Sequence, residues 1–221
     1  MASNPTVPSR PSRSLADRVA IVTGAGSQGD GIGNGRAAAV LLAEAGCTVV
    51  CVDMKLEDAE RTAEMINSEA HGKAMALTAN VTKEDECSKV VSTTVEKFGR
   101  LDILVNNVGI MGAKGTAKEV DMEEWEAGMR VNVSSMVMMA KYAIREMEKN
   151  ETGPNNPCRG AIVNLGSVAG LRGGTPSLMY PTSKGAVVNL TVRASRINKR
   201  KPPIVLTTTE SNGDTSCCAR Y

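Results

Sequence analysis

The chain has 221 residues, 42% of them hydrophobic, and a formal net charge of +2, which suits a single domain with a buried parallel sheet and makes a second domain unexpected. No apolar run approaches the roughly eighteen uninterrupted residues of a membrane span, and the N-terminus lacks the apolar core of a secretory signal, so no membrane partner is expected and a soluble, cytoplasmic protein is. Six cysteines and a single histidine, His71, show no paired metal spacing, which argues against a structural zinc site and leaves reduced thiols.

Residues 1–14 are rich in Ser, Pro and Arg without an acidic residue, a composition that reads as a disordered extension rather than an import signal. The first strand is the apolar run 18–23; Gly24, Gly26, Gly29, Gly31, Gly33 and Gly35 follow, and then a helix over 36–45. Glycines let the backbone turn sharply and let a pyrophosphate approach the N–H groups at a helix N-terminus, where the helix dipole favours negative charge. A second strand over 48–53 buries Cys51 beside Cys47 and ends at Asp53, ahead of a helix over 57–70 that runs out at His71. The rhythm repeats as strand 74–78 and helix 83–98, strand 101–106 and one long helix over 122–149, strand 161–166 and a helix through Lys184. Such alternation implies an α/β fold, a Rossmann-like doubly wound parallel sheet in one domain with right-handed crossovers. Ligands then bind at the carboxyl ends of the strands, where Thr23, Asp53, Asn80, Asn106 and Ser167 all fall.

In the last of these helices Tyr180 and Lys184 are four residues apart and share a face. The ammonium can then favour ionisation of the phenol, which makes Tyr180 a candidate acid or base near neutrality. Ser167 closes the preceding strand thirteen residues upstream.

The glycine turn and the segment Tyr180-Pro181-Thr182-Ser183-Lys184 together resemble the short-chain dehydrogenase/reductase family. Its Thr-Gly-x-x-x-Gly-x-Gly turn is matched by Thr23, Gly24, Gly31, Ile32 and Gly33, with Gly24 and Gly31 seven apart instead of four, so that about three extra residues, Gln28 to Asp30, bulge from the turn. Asn106-Asn107-Val108-Gly109 is similar to the family's Asn-Asn-Ala-Gly, and Asn132 to the helix asparagine that holds a proton-relay water. Asn80 and Val81 stand where the family usually has Asp-Val against the adenine.

The resemblance implies a hydride transfer between a nicotinamide cofactor and a secondary alcohol or ketone of a small molecule. Tyr180 is then the general acid or base, Ser167 orients the substrate oxygen, Lys184 also binds the nicotinamide ribose, and Asn132 anchors the relay water. Thr23, Gly24, Gly31, Ile32, Gly33, Asp53, Asn80, Val81, Asn107 and Gly109 join Tyr180 and Lys184 around the cofactor. Asp53 lies twenty residues after Gly33, where an acid accepts hydrogen bonds from the ribose hydroxyls and repels a 2′-phosphate, so NAD is favoured and NADP is second.

The resemblance covers about residues 18–191, so that 15–191 is the expected dinucleotide-binding catalytic domain and 192–221 an atypical tail. The tail has six basic and two acidic residues, a net of +4 that leaves −2 for the rest; without stacking aromatics or a binding fold it points to no nucleic acid. Val192-Arg193 can be encoded by the start of an intron donor, and the tail reads as an aberrant translation that replaces the family's C-terminal strands and substrate lid. The fifth strand is then expected to expose a long edge unless the β-prone residues 204–209 cover it. Homo-oligomers are usual for the family, but this tail lacks much of the helical interface. The competing expectation is therefore an inactive nucleotide-binding or misfolded relic. A hydrolase is third, because only His71 could serve Ser167 and Leu165 occupies the first glycine of a nucleophile elbow.

Overall fold

A computed structural model describes residues 14–27, 31–69, 72–153, 158–172, 175–197 and 204–209. The expectations for residues 1–13, for the bulge at Gln28–Asp30, for His71 and for the tail beyond 209 lie outside the described residues.

The elements run in chain order as β1 (Val19–Thr23), α1 (Asn34–Glu44), β2 (Thr48–Asp53), α2 (Leu56–Ser68), β3 (Lys73–Thr78), α3 (Glu84–Phe98), β4 (Ile103–Asn106), α4 (Met122–Met129), a π-turn (Arg130–Ser134), α5 (Ser135–Met147), β5 (Gly160–Leu165), a short α6 (Ala169–Arg172), α7 (Met179–Ile197) and β6 (Ile204–Thr209). The six strands form one parallel sheet in the order β3-β2-β1-β4-β5-β6. The apolar runs become central strands because helices cover both faces. Ile21, Val50, Val52, Leu104 and Ile162 pack with Val90 and Val91 of α3 and Met139, Ala143 and Met147 of α5. Alternate residues Ala20, Val22, Val49, Cys51 and Val105 pack on the other face with Ala39 and Ala43 of α1 and Ala59, Ala63 and Ile66 of α2.

Cys47 and Cys51 are buried as expected, and burial pushes both thiols up to about 12. Strand order reverses between β1 and β4, which opens a cleft at their carboxyl ends. Register brings Thr23 beside Val52 and Asn106 there. No helix among the described residues is long and apolar enough to cross a membrane.

The helix expected over 122–149 is present from Met122 to Met147 and carries one irregularity: at its middle the Ser135 N–H reaches back to the Arg130 carbonyl, one residue further than an α-helical bond, and forms the π-turn. Past Thr191, α7 continues to Ile197, and β6 pairs in parallel with β5 from Gly160 opposite Ile204 to Leu165 opposite Thr209. The β5 edge is covered rather than open.

Candidate active site

A cavity of about 760 Å³ opens at the carboxyl ends of the strands and runs from Asp53 and Asn80 to Tyr180 and Lys184. That volume is in the range of small-molecule and cofactor sites.

Its floor is the turn after β1. Gly24 takes a φ of +63°, and its carbonyl accepts from the Asn107 side-chain amide at 2.9 Å. The Asn107 backbone N–H donates to Thr23 Oγ1 at 3.2 Å, and that hydroxyl donates to the Val105 carbonyl at 3.3 Å. Thr23 thus braces the turn from beneath and is not on the cavity wall, whereas Gly24 and Asn107 are. Helix α1 crosses this turn closely: a Cβ at Gly35 would fall 1.9 Å from the Gly24 carbonyl oxygen and 2.6 Å from the Asn107 amide. Close helix–strand packing is the task of the last glycine in a dinucleotide turn.

The glycine register therefore differs from the expected one. Gly33, Asn34 and Gly35 line the cavity where Gly31, Ile32 and Gly33 were expected. Ile32 is 68% exposed, and a Cβ at Gly31 would meet open space. Gly24 and Gly33 are nine apart, so the turn carries five extra residues rather than three. The extra backbone is held at Gly31, whose carbonyl accepts from Arg36 Nη1 at 2.8 Å; Arg36 is buried and its Nε donates to Thr62 Oγ1 at 3.0 Å. Arg36 and Thr62 escaped the sequence reasoning, because nothing marks an arginine after a glycine turn as an internal strut.

At one end of the cavity the Asp53 carboxylate accepts from the Gly26 N–H at 3.0 Å and the Lys55 N–H at 3.3 Å. Asn80 and Val81 line the wall beside it. The Asn80 side-chain carbonyl accepts from the Thr82 N–H at 3.0 Å and hydroxyl at 2.7 Å.

At the other end Tyr180 lies in the first turn of α7 and Lys184 one turn on, with Nζ 5.9 Å from the centre of the tyrosine ring. Lys184 is 4% exposed, and Nζ donates to the Leu165 carbonyl at 2.7 Å. Loss of hydration lowers its pKa from 10.5 to about 8. Gly109 makes room for it: a Cβ there would lie 3.3 Å from Nζ.

Asn132 sits in the π-turn, fully buried. Its amide accepts from the Ile110 N–H and donates to the Ile110 carbonyl, both at 2.8 Å, and donates to Ser183 Oγ at 3.0 Å. Ser183 in turn donates to the Tyr180 carbonyl at 2.7 Å. The expected Asn132 is thus linked to the tyrosine segment through a serine that sequence reasoning passed over, although it lies inside Tyr180-Pro181-Thr182-Ser183-Lys184.

Ser167 is buried just past β5, where its hydroxyl accepts from the Ala169 N–H at 3.2 Å. The adjacent Gly166 lines the cavity and Ser167 does not. The structure so brings together Gly24, Gly33, Asp53, Asn80, Val81, Asn107, Gly109, Tyr180 and Lys184 around one cavity, holds Thr23, Asn132 and Ser167 behind its lining, and leaves Gly31 and Ile32 outside.

The family model described as short chain dehydrogenase matches residues 18–204. An uncharacterised oxidoreductase of Thermotoga maritima is 40% identical over 174 residues, 79% of this chain and 63% of the relative. The cis-4-hydroxycyclohexanecarboxylate dehydrogenase of Sinomonas cyclohexanicum is 35% identical over 82% of this chain and 67% of its own length. The chain thus spans somewhat under or about two thirds of these relatives. Among solved structures, a short-chain dehydrogenase/reductase from Burkholderia xenovorans superposes with a TM-score of 0.78 at 33% identity, over 89% of this chain and 75% of its own. NAD⁺-bound xylitol dehydrogenase superposes with a TM-score of 0.72 at 31% identity, over 82% and 65%.

Proposed function

Since the chain belongs to the short-chain dehydrogenase/reductase family, we propose that it is an NAD(P)-dependent oxidoreductase acting on a secondary alcohol or ketone of a small molecule. The observation that carries this is the buried Lys184 beside Tyr180 at one end of a cavity whose other end is Asp53. The lining fits a dinucleotide: Gly24, Gly33 and Gly35 line the cavity at the turn after β1, and Gly33 stands at the N-terminus of α1, where a Cβ would meet nothing nearer than Ser27 Oγ at 3.4 Å.

The nicotinamide supplies the hydride acceptor in alcohol oxidation and the hydride donor in ketone reduction. Tyr180 handles the accompanying proton: as phenolate it takes the proton of the alcohol, and as phenol it gives one to the ketone oxygen. Lys184, held on the Leu165 carbonyl, keeps its amino group beside the Tyr180 ring. Asn132, whose side chain is engaged with Ile110 and Ser183, ties the π-turn to the tyrosine segment, and the resemblance assigns it the relay water. Ser167, behind Gly166 and accepting from the Ala169 N–H, is assigned to orient the substrate oxygen by the family resemblance, and its hydroxyl has to turn into the cavity to do so. Asp53 takes the adenosine ribose hydroxyls and favours NAD. Gly33, Asn34 and Gly35 cradle the pyrophosphate, in place of Gly31 and Ile32.

The competing expectation of an inactive relic drew on an open β5 edge and on the loss of the substrate lid and helical interface; the β5–β6 ladder weighs against the first of these. The test is a thermal melt with Trp125 fluorescence, titrated with NADH and NADPH, followed by turnover of secondary alcohols. Stabilisation is expected with NADH first, and Tyr180→Phe should lower kcat/KM by about 10²–10⁴-fold while leaving NADH binding in place. A cooperative melt that neither dinucleotide moves would overturn the proposal.

A further inference from the structure

Asp53 has company at the adenosine end of the cavity. Asp58, in the first turn of α2, lines the same end, and the two acids converge on Gly26: a Cβ there would lie 2.6 Å from Asp58 Cβ and 2.8 Å from Asp53 Oδ2. Only the absence of a side chain at Gly26 allows this approach. The cations nearby do little to balance the second carboxylate. Arg61 is 3.9 Å from Asp58 Oδ1 with a side chain 60% exposed, and Lys55 on the same wall is exposed. Such solvated pairs are weak.

We propose that Asp58 is a second determinant of cofactor choice: with Asp53 it sets two carboxylates against a 2′-phosphate, so that neutralising Asp53 alone leaves the site selective for NAD(H). This rests on the cavity being a nicotinamide dinucleotide site. A 2′-phosphate carries about −1.5 to −2 charges, and repulsion by one carboxylate at the same end of a wet cleft amounts to about a fivefold change in affinity, reduced by salt. An acid in the first turn of α2 also complements the helix dipole, but that role acts on stability and is blind to the 2′ position.

The experiment is equilibrium binding of NADH and NADPH, at low and high salt, to the full chain and to Asp53→Asn, Asp58→Asn and the double variant, with a thermal melt of each. Asp53→Asn is expected to keep about a fivefold preference for NADH that shrinks in high salt, and the double variant to lose it. Asp58→Asn alone should narrow the preference of the parent by a similar factor. If Asp58→Asn does not fold, Asp58→Ser keeps a short polar group at the helix start and serves instead. Equal binding of both dinucleotides by Asp53→Asn, or a double variant with the same ratio as Asp53→Asn, overturns the role of Asp58 and leaves the proposed function standing. Binding of neither dinucleotide by the parent chain overturns both.

Discussion

Lys184 shows how burial sets the state of a single residue. Its folded pKa of about 8 lies below the ordinary 10.5, so folding disfavours the ammonium: the penalty is full below about 8, shrinks as pH rises from there toward 10.5, and is gone above, where lysine is neutral folded or unfolded. Melting temperatures of the parent chain should therefore rise relative to Lys184→Met across pH 8 to 10.5; a difference that stays constant would mean the lysine remains charged in the fold. Asn132 gives a second expectation at this scale. Alanine there leaves the Ile110 N–H and carbonyl and the Ser183 hydroxyl without their partner, a loss of about 1–3 kcal/mol to be read by urea denaturation. Tyr180 and Lys184 were legible in the sequence because i,i+4 spacing on a helix is itself geometry. Ser183 was not, because a serine announces a link between two segments only when both are in place.

The elements were legible where burial writes a pattern. β1, β2, β4 and β5 are apolar runs covered on both faces, and each is found within a residue or two of its expected place. The glycine turn was legible as a turn and not in its register, because Gly29, Gly31, Gly33 and Gly35 recur at every second position and any G-x-G among them satisfies the spacing. What selects one is the approach of α1 to Gly24, a contact between elements. Two alanine substitutions separate the alternatives by chemical denaturation. Gly35→Ala should cost about 1–3 kcal/mol or more, since its Cβ meets backbone at 1.9 Å, while Gly31→Ala should stay within about 0.5 kcal/mol. The π-turn escaped for a similar reason: it shifts one hydrogen bond by one residue and leaves the apolar periodicity of α4 and α5 readable as a single helix.

For the whole molecule, the family match to residue 204 and the β5–β6 ladder carry the architecture past the point where sequence similarity was expected to fail. Residues 204–209 were visible as β-prone, but strand propensity does not say which edge a segment joins; the order of the other five strands does. A chain shortened to end at residue 203 would present the β5 edge to other molecules. Its melting temperature should fall by about 5–10 °C, with light scattering rising at the transition; an unchanged melt would show that the pairing contributes nothing. The two ends of the cavity also differ in when they are made. The glycine turn can form once Asn107 can reach the Gly24 carbonyl, whereas Tyr180 and Lys184 are still to be translated, an interval of roughly ten seconds at ordinary elongation rates. During synthesis the chain thus has the parts of one end of the cavity before it has those of the other.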